Sequence, residues 1–455
     1  MAVWSVVKVS ALAAGLRLDS EYYQPRYLSA TGKLAKAHAS PVDSFAFVTD
    51  GIHASPDEVE TGGIRYLSAK CVKNNFFALG DALQISQSQH AANPRTSLQE
   101  NDVLITTVGT IGNAAVVQRE ILPANADRHL GIVRINPDAG VDPYYVSTFL
   151  NCEYGRFQSF REATGNVQLN LFIEKIKGLR LPILACASEV AQQTRAAYHK
   201  RRESAARIES AEVVLKQALG LDHLDLAPEK CYSRRFRELR AGNRFGAEYY
   251  MPCKKRVLDA LAMMPHSAIA DHAPSIRELW DPARALKGQK VRNFDITDAL
   301  DPFLDDVDPQ MADAIGSTKK KFQAGDVVIS RLRSYLKEIA VVQTSNTLPT
   351  VGSSEFIVLR PTGSGLSAET LMVFLRCSLV QTILKWSQDG SNHPRFAEED
   401  LSAIPVPDAL LRVQKKIDHL VYQAINDRQE SARLLNRAKK MIEHEVGEVV
   451  ARGRE

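Results

Sequence analysis

Apolar residues in this chain fall into two patterns: short blocks of strand length, and two long stretches in which they recur every seven residues. Asp102-Val103-Leu104-Ile105-Thr106 and Ala114 to Val117 are such blocks, bounded by Gly and Asn or Asp breaks, and they predict β-strands. Helix-like segments are expected around Pro143 to Phe157 and from Ser367 to Lys385. A glycine-containing loop then leads into Leu179-Arg180-Leu181-Pro182, and a similar one into Ile404-Pro405-Val406-Pro407, where prolines end the extended chain. Long runs free of Pro and Gly follow both. In the second run Ile417, Ala424, Ser431 and Ala438 lie seven apart, with Val421, Arg428, Leu435 and Ile442 four residues further on. The first run carries Val190, Ala197, Ser204 and Ala211, with Thr194, Arg201, Ile208 and Leu215. This spacing lines the residues up as one stripe of a helix, and small residues in the stripe let two such helices approach closely. Two coiled-coil-like helices packed on each other are therefore expected. The first, from about Ser188 to Leu219, reaches ~48 Å at ~1.5 Å per residue and reads as a spacer.

The blocks occur twice, in one order. Arg17-Leu18-Asp19-Ser20-Glu21-Tyr22-Tyr23-Gln24-Pro25 returns as Arg244-Phe245-Gly246-Ala247-Glu248-Tyr249-Tyr250-Met251-Pro252, 227 residues later. Asp102 to Thr106 returns as Asp326-Val327-Val328-Ile329-Ser330 at 224, and Ala115-Val116-Val117 as Ala340-Val341-Val342 at 225. Ile132-Val133 matches Ile357-Val358, and Phe149-Leu150-Asn151-Cys152 matches Phe374-Leu375-Arg376-Cys377. Gly165 matches Gly390, and Glu203-Ser204-Ala205 matches Glu430-Ser431-Ala432. Chance does not keep seven pairs in order at offsets of 224 to 227. The 455 residues are then two copies of a head followed by a long helix. The expected fold is α+β, with two mixed α/β heads, residues 1–184 and 223–408. Two long coiled-coil-like helices, residues 185–222 and 409–455, separate them in a repeat.

Composition excludes classes rather than selecting one. With 45% hydrophobic and 24% charged residues the chain is neither disordered nor fibrous, and its length allows several cores. The net charge of +4 permits a nucleic-acid partner without demanding one. Cys71, Cys152, Cys186, Cys231, Cys253 and Cys377 are too scattered for a CxxC or zinc-ribbon pattern, and a reducing cytoplasm suits them. No apolar run reaches membrane-spanning length, and Lys8 interrupts the N-terminal apolar stretch where a signal peptide needs continuity. Enzyme motifs fail in turn. Thr31-Gly32-Lys33-Leu34 lacks the upstream glycine and the hydroxyl residue of a phosphate loop. Gly109-Thr110-Ile111-Gly112 has the wrong spacing for a dinucleotide loop and reads as a turn between strands. Asn136-Pro137-Asp138 lacks the second proline and the aromatic residue of an amino-methylating motif. The chain is expected to have no catalytic residue, metal ligand or cofactor of its own.

Polar loops beside the repeated strands carry the candidate chemistry. After the Asp-Val-x-Ile strand the first copy offers Thr107, Thr110 and Asn113, and the second Arg331, Arg333, Ser334, Tyr335 and Lys337. Before the Ile-Val strand stand Arg128 and His129 in one, and Ser353, Ser354 and Glu355 in the other. Beyond the shared glycine come Asn166, Gln168 and Asn170, against Ser391, Asn392, His393 and Arg395. Such side chains donate to phosphates and read base edges. A shared scaffold with divergent polar loops is what two readers of different DNA sequences require. Thr107, Thr110, Asn113, Arg128, His129, Gln168 and Asn170 are therefore candidate DNA contacts of the first head. Arg331, Arg333, Ser334, Tyr335, Lys337, His393 and Arg395 are those of the second. Lys254-Lys255-Arg256 and Lys319-Lys320-Lys321 fit either solvated charge or phosphate contact.

The run Gly63-Ile64-Arg65-Tyr66-Leu67-Ser68-Ala69, with the blocks Asp102 to Val117 and Gly165 to Pro182, resembles the DNA-specificity subunit of type I restriction-modification systems. The blocks Asp326 to Val342, Gly352 to Pro361 and Gly390 to Pro407 extend the resemblance over almost the whole chain. It implies two target-recognition domains of mixed α/β fold, separated by two long antiparallel helices in a pseudo-twofold internal repeat, each domain reading one half of a bipartite, asymmetric double-stranded DNA site, with helix length setting the unread gap. It implies a non-catalytic subunit that docks two DNA adenine methyltransferase subunits, which hold S-adenosylmethionine, and that a restriction translocase or nuclease subunit can join. The setting it implies is cytoplasmic. One departure stands out: no glycine between Arg331 and Glu338 answers to Gly109 and Gly112. Two other readings remain open, a specificity module of another modification-based defence system and a coiled-coil scaffold that does not bind DNA.

Overall fold

The computed structural model describes residues 5–9, 12, 17–165, 168–242, 244–345 and 347–452. It resolves into two compact units, one formed by residues up to Arg201 together with those from Arg428 onward, the other by Arg202–Asp427.

In the first unit the apolar blocks build an antiparallel sheet in the order Ala46–Asp50, Leu130–Ile135, Val103–Thr106, Ala114–Val116. The strand Val103–Thr106 is buried throughout, and apolar at its first three positions, because both its faces are covered. Val103 and Ile105 point into one core with Tyr145 and Phe149, whereas Leu104 points into another with Leu67, Ala115 and Ile132. Each such side chain contributes roughly 1.5–3 kcal/mol by leaving water. A smaller sheet pairs Ile64–Leu67 antiparallel with Leu83–Ile85 and parallel with Ala124–Ala126.

The second unit orders its strands as Ser275–Ile276, Phe356–Leu359, Val327–Ser330, Ile339–Val342, Phe303–Leu304. Val327 and Ile329 enter one core and Val328 another. Here too a second sheet carries one parallel pair, Lys290–Phe294 with Thr350–Gly352.

Each unit has the same lock at the foot of its central strand. Asp102, 1% exposed, accepts the Gln99 N–H at 2.8 Å, and Arg134 grips both its oxygens at 2.8 and 2.7 Å. Asp326 accepts the Gln323 N–H at 2.7 Å and is gripped by Arg360 at 2.7 and 2.9 Å. The Tyr-Tyr-x-Pro element is likewise built twice. Pro25 and Pro252 open the helices Pro25–Lys36 and Pro252–Ala262, where a missing N–H costs nothing. Arg17 lies over Tyr22 at 4.2 Å and Arg244 over Tyr249 at 4.4 Å. The hydroxyls of Tyr23 and Tyr250 donate to the carbonyls of Arg17 and Arg244, at 2.8 and 2.9 Å.

Two expectations change. The helical segment after each sheet is not continuous. It divides into Pro143–Asn151 and Glu153–Glu162, and into Ala368–Arg376 and Ser378–Lys385. Cys152 and Cys377 sit at the breaks in extended conformation. Gly155 lets the chain fold back there, since a Cβ on it would meet the Phe149 carbonyl oxygen at 2.2 Å.

The compact units also do not end at residues 184 and 408. The long helices Ala187–Leu219 and Ala409–Arg452 are shared between them, because their apolar stripes complete the cores of the heads. Val190, Ala191, Tyr198, Ala438, Ile442 and Val446 belong to the first core, and Ile208, Ala211, Leu215, Ile417, Val421 and Ala424 to the second. In the first unit the Ser431 hydroxyl donates to the Ala197 carbonyl at 2.7 Å; in the second, Ser204 donates to the Ala424 carbonyl at 2.8 Å. All four positions are buried. A hydroxyl can reach a facing backbone carbonyl only where neighbouring side chains are this small. In the first unit the Glu445 carboxylate also accepts from the N–H groups of Ala185 and Cys186, at 2.7 and 2.9 Å, ahead of the helix that begins at Ala187.

Candidate nucleic-acid interface

At the end of Val103–Thr106 the chain of the first unit turns through Gly109 and Gly112, at φ 75° and 77°, a region open to glycine without strain. The turn is tied to two other loops by backbone bonds. Thr107 N–H donates to the His129 carbonyl at 3.0 Å, and Leu171 N–H donates to the Thr107 carbonyl at 2.8 Å. Val108 and Asn170 form an antiparallel bridge, and Ile52 bridges Asp127.

The result is a cleft of about 450 Å³ whose walls include Thr107, Arg128, His129, Gln168 and Asn170. Arg128 and Gln168 are exposed, and His129 faces Asp127 at 3.0 Å. Thr107 is buried, so it offers little surface to the cleft. Thr110 sits on the exposed turn, outside the cleft, with its carbonyl bonded by the Thr106 hydroxyl. Asn113 is corrected more sharply. It is buried, donates to the Val72 carbonyl at 3.4 Å and accepts from Arg156 at 2.8 Å, so it supports the loop from inside. Asn166 lies outside the described residues.

Asp50, His53 and Phe172 also line the cleft, and nothing in the loop comparison pointed to them. Asp50 and His53 arrive from the end of another strand through the Ile52–Asp127 bridge, a long-range closure with no local signal. Burial works against charge on Asp50, but bonds from His53 and Arg95 hold its carboxyl below the usual range.

The second unit closes the same junction with different side chains. Arg331 N–H donates to the Glu355 carbonyl at 3.1 Å, Phe396 N–H donates to the Arg331 carbonyl at 3.2 Å, and Leu332 bridges Arg395. Arg331, Glu355 and Arg395 thus stand where the first unit has Thr107, His129 and Asn170. Glu355 accepts from Arg395 at 3.0 and 2.8 Å and from Arg331 at 3.0 Å. Arg333 approaches His393 at 3.4 Å.

The missing glycines are answered by Arg333 and Lys337, at φ 50° and 54°. Residues with a Cβ pay roughly 1–3 kcal/mol for this conformation. Arg376 helps to hold it by donating to the carbonyls of Lys337 and Ile339, at 2.9 and 2.7 Å. Tyr335 is exposed and Lys337 partly so, whereas Ser334 is buried, its hydroxyl without a hydrogen-bond partner among the described residues. Ser334 therefore does not face a ligand as expected. Within the basic runs, Lys254 is neither solvated nor available to phosphate. It is buried 3.4 Å from the Tyr249 ring centroid, and burial pushes its pKa down to about 8.

The Arg395 fork, opposed by burial and aided by Arg331, brings the Glu355 carboxyl down to about 2. A lowered carboxyl pKa contributes stability above its unfolded value, near 4.5, which is lost as pH falls toward about 2. The stability difference between the native protein and Glu355→Gln should therefore be constant above pH ~5 and shrink through that acid window, read by urea unfolding at a series of pH values.

Among the described residues no group of three His, Cys, Asp or Glu side chains could hold a metal ion, and no helix is long and apolar enough to cross a membrane. No protein-family model and no curated protein matches the chain. Solved structures do. The S subunit of a type I restriction-modification system from M. genitalium is 11% identical with a TM-score of 0.36, over 90% of this chain and 95% of that one. The HsdS subunit from Thermoanaerobacter tengcongensis is 14% identical with a TM-score of 0.29, over 90% and 95%. A structure concerning complex assembly and conformational transition of the type I R-M system is similar at 13% identity and a TM-score of 0.29, over 90% and 96%.

Proposed function

We propose that this chain is the sequence-reading subunit of a type I restriction-modification complex, binding double-stranded DNA at a bipartite, asymmetric site. One observation carries the reading: each unit joins three loops by matching backbone bonds, yet fills the equivalent positions with Thr107, His129 and Asn170 in one and Arg331, Glu355 and Arg395 in the other. A fold that needed only stability has no reason to keep the junction and change its side chains from hydroxyl, imidazole and amide to two guanidinium groups and a carboxylate. Two readers of different half-sites do. The matching strand pairings, Asp–Arg locks and Tyr-Tyr-x-Pro elements support the two units as copies of one, in a pseudo-twofold repeat. The long helices, with their small-residue stripes, serve as the element that sets the unread gap. The chain does no chemistry itself. It docks two DNA adenine methyltransferase subunits, which hold S-adenosylmethionine, and a restriction translocase or nuclease subunit can join them.

Exchanging residues 60–175 for the same region of a relative tests the reading in cells that contain the methyltransferase. A split adenine-methylation motif is expected to change in one half and keep the other. A genome whose methylation is the same with and without this chain excludes the reading, and change in both halves excludes independent heads.

A further inference from the structure

We infer that Arg331 and Arg395 of the second unit, held in register by Glu355, read a guanine edge in the major groove, so that the half-site of this unit contains a G·C pair. The inference rests on the DNA-reading function proposed above and names what one of the two sites recognises. Arginine meets guanine O6 and N7 through two parallel N–H donors, which requires a guanidinium whose plane is set before contact. Arg395 meets that requirement. Its Nε and Nη2 bond the two oxygens of Glu355 at 3.0 and 2.8 Å, and its Nη1 donates to the His393 carbonyl at 3.1 Å. Of the five N–H groups of a guanidinium, one on each terminal nitrogen is left over, the number a guanine fork uses. Arg331 spends its Nε on Glu355, at 3.0 Å, and among the described residues no side-chain bond takes its terminal nitrogens.

Exposure points the same way. The side chains of Arg331 and Arg395 are 46% and 41% exposed, but that of Glu355 is 23% exposed, so the carboxylate braces and the guanidinium groups face out. With three N–H groups already bonded to it, Glu355 is a brace and not the reader. Phosphate is the rival ligand. A phosphate bonded to either arginine would stand close to the Glu355 carboxylate and be repelled, while the neutral acceptors of a guanine edge would not. The loop also pays for side chains at Arg333 and Lys337, where the first unit uses glycine, so the strain serves groups the backbone turn itself does not need.

The test uses the full chain with its methyltransferase partner and duplexes carrying the methylated split motif. The half that stays constant in the 60–175 exchange is the half of the second unit, and it is expected to contain an obligatory guanine. Replacing that guanine with 7-deazaguanine, which removes N7 and keeps base pairing, is expected to weaken binding roughly 10- to 100-fold. This arm needs no protein variant. Arg395→Lys and Arg331→Lys, which keep the charge and lose the fork, are expected to relax that position alone. A constant half with no G·C pair, or full-strength binding to the 7-deaza duplex, overturns the inference and leaves the DNA-reading function standing. Equal weakening for every sequence in the lysine variants assigns the arginines to phosphate and also overturns it. Absence of any motif that depends on this chain overturns both.

Discussion

Raising salt from about 50 to 200 mM is expected to weaken the proposed binding of the chain, assembled with an adenine methyltransferase subunit, to motif-bearing duplex DNA by roughly 10³- to 10⁵-fold, the loss carried by about six to ten phosphate contacts. The net charge of +4 is too small to act as a general attractor, so the contacts must be local. Both candidate sites mix charge signs, with Asp50 in the first-unit cleft and Glu355 between two arginines. Arg128, exposed in one unit, and Arg333, which approaches His393 in the other, are the residues proposed to meet phosphate. Removing either should lower the slope of log affinity against log salt by about one. Base-edge bonds displace no counterions, so preference for the correct half-sites should survive while affinity falls. Equilibrium titrations at several salt concentrations, with matched and scrambled duplexes, check this. A scaffold that does not bind DNA gives no saturable binding at any of them.

Arg134→Met is expected to cost the first unit about 3–5 kcal/mol, because it leaves the Asp102 carboxylate buried without its counter-charge. Asp102 is 1% exposed, and besides Arg134 the Gln99 N–H is the one donor to its carboxylate among the described residues. A single N–H cannot replace the two-point grip of Arg134 at 2.8 and 2.7 Å. Replacing both partners, Arg134→Met with Asp102→Leu, should recover most of the loss, since an apolar pair of similar volume carries no desolvated charge. Denaturant unfolding of the two variants provides the measurement. If the single and double replacements cost the same, the ion pair is not the source of the effect.

Part of the cleft lining is legible in the sequence. The polar loops beside the repeated strands single out Arg128, His129, Gln168 and Asn170, and the structure gathers them around one cleft. Asn113 and Ser334 satisfied the same loop rule and turned out to be buried, because whether a polar residue next to a strand faces in or out depends on what packs over that strand. Asp50 and His53 were invisible for the opposite reason: they come from a distant strand, and only the register of its bridge to Asp127 brings them in.

The amino-acid sequence by itself determined the doubling of blocks, the apolar strands and the seven-residue stripes, since these follow from backbone periodicity and burial, which are properties of a residue and its near neighbours. The tertiary structure alone decided four further matters. It broke each post-sheet helix at a cysteine, gave the long helices to the cores of both units, and set Arg333 and Lys337 in the conformation of the glycines they replace. It also braced two arginines, 64 positions apart, on one carboxylate. These outcomes depend on closing loops across long stretches of chain, where each contact is stabilised by the others and no local preference announces it.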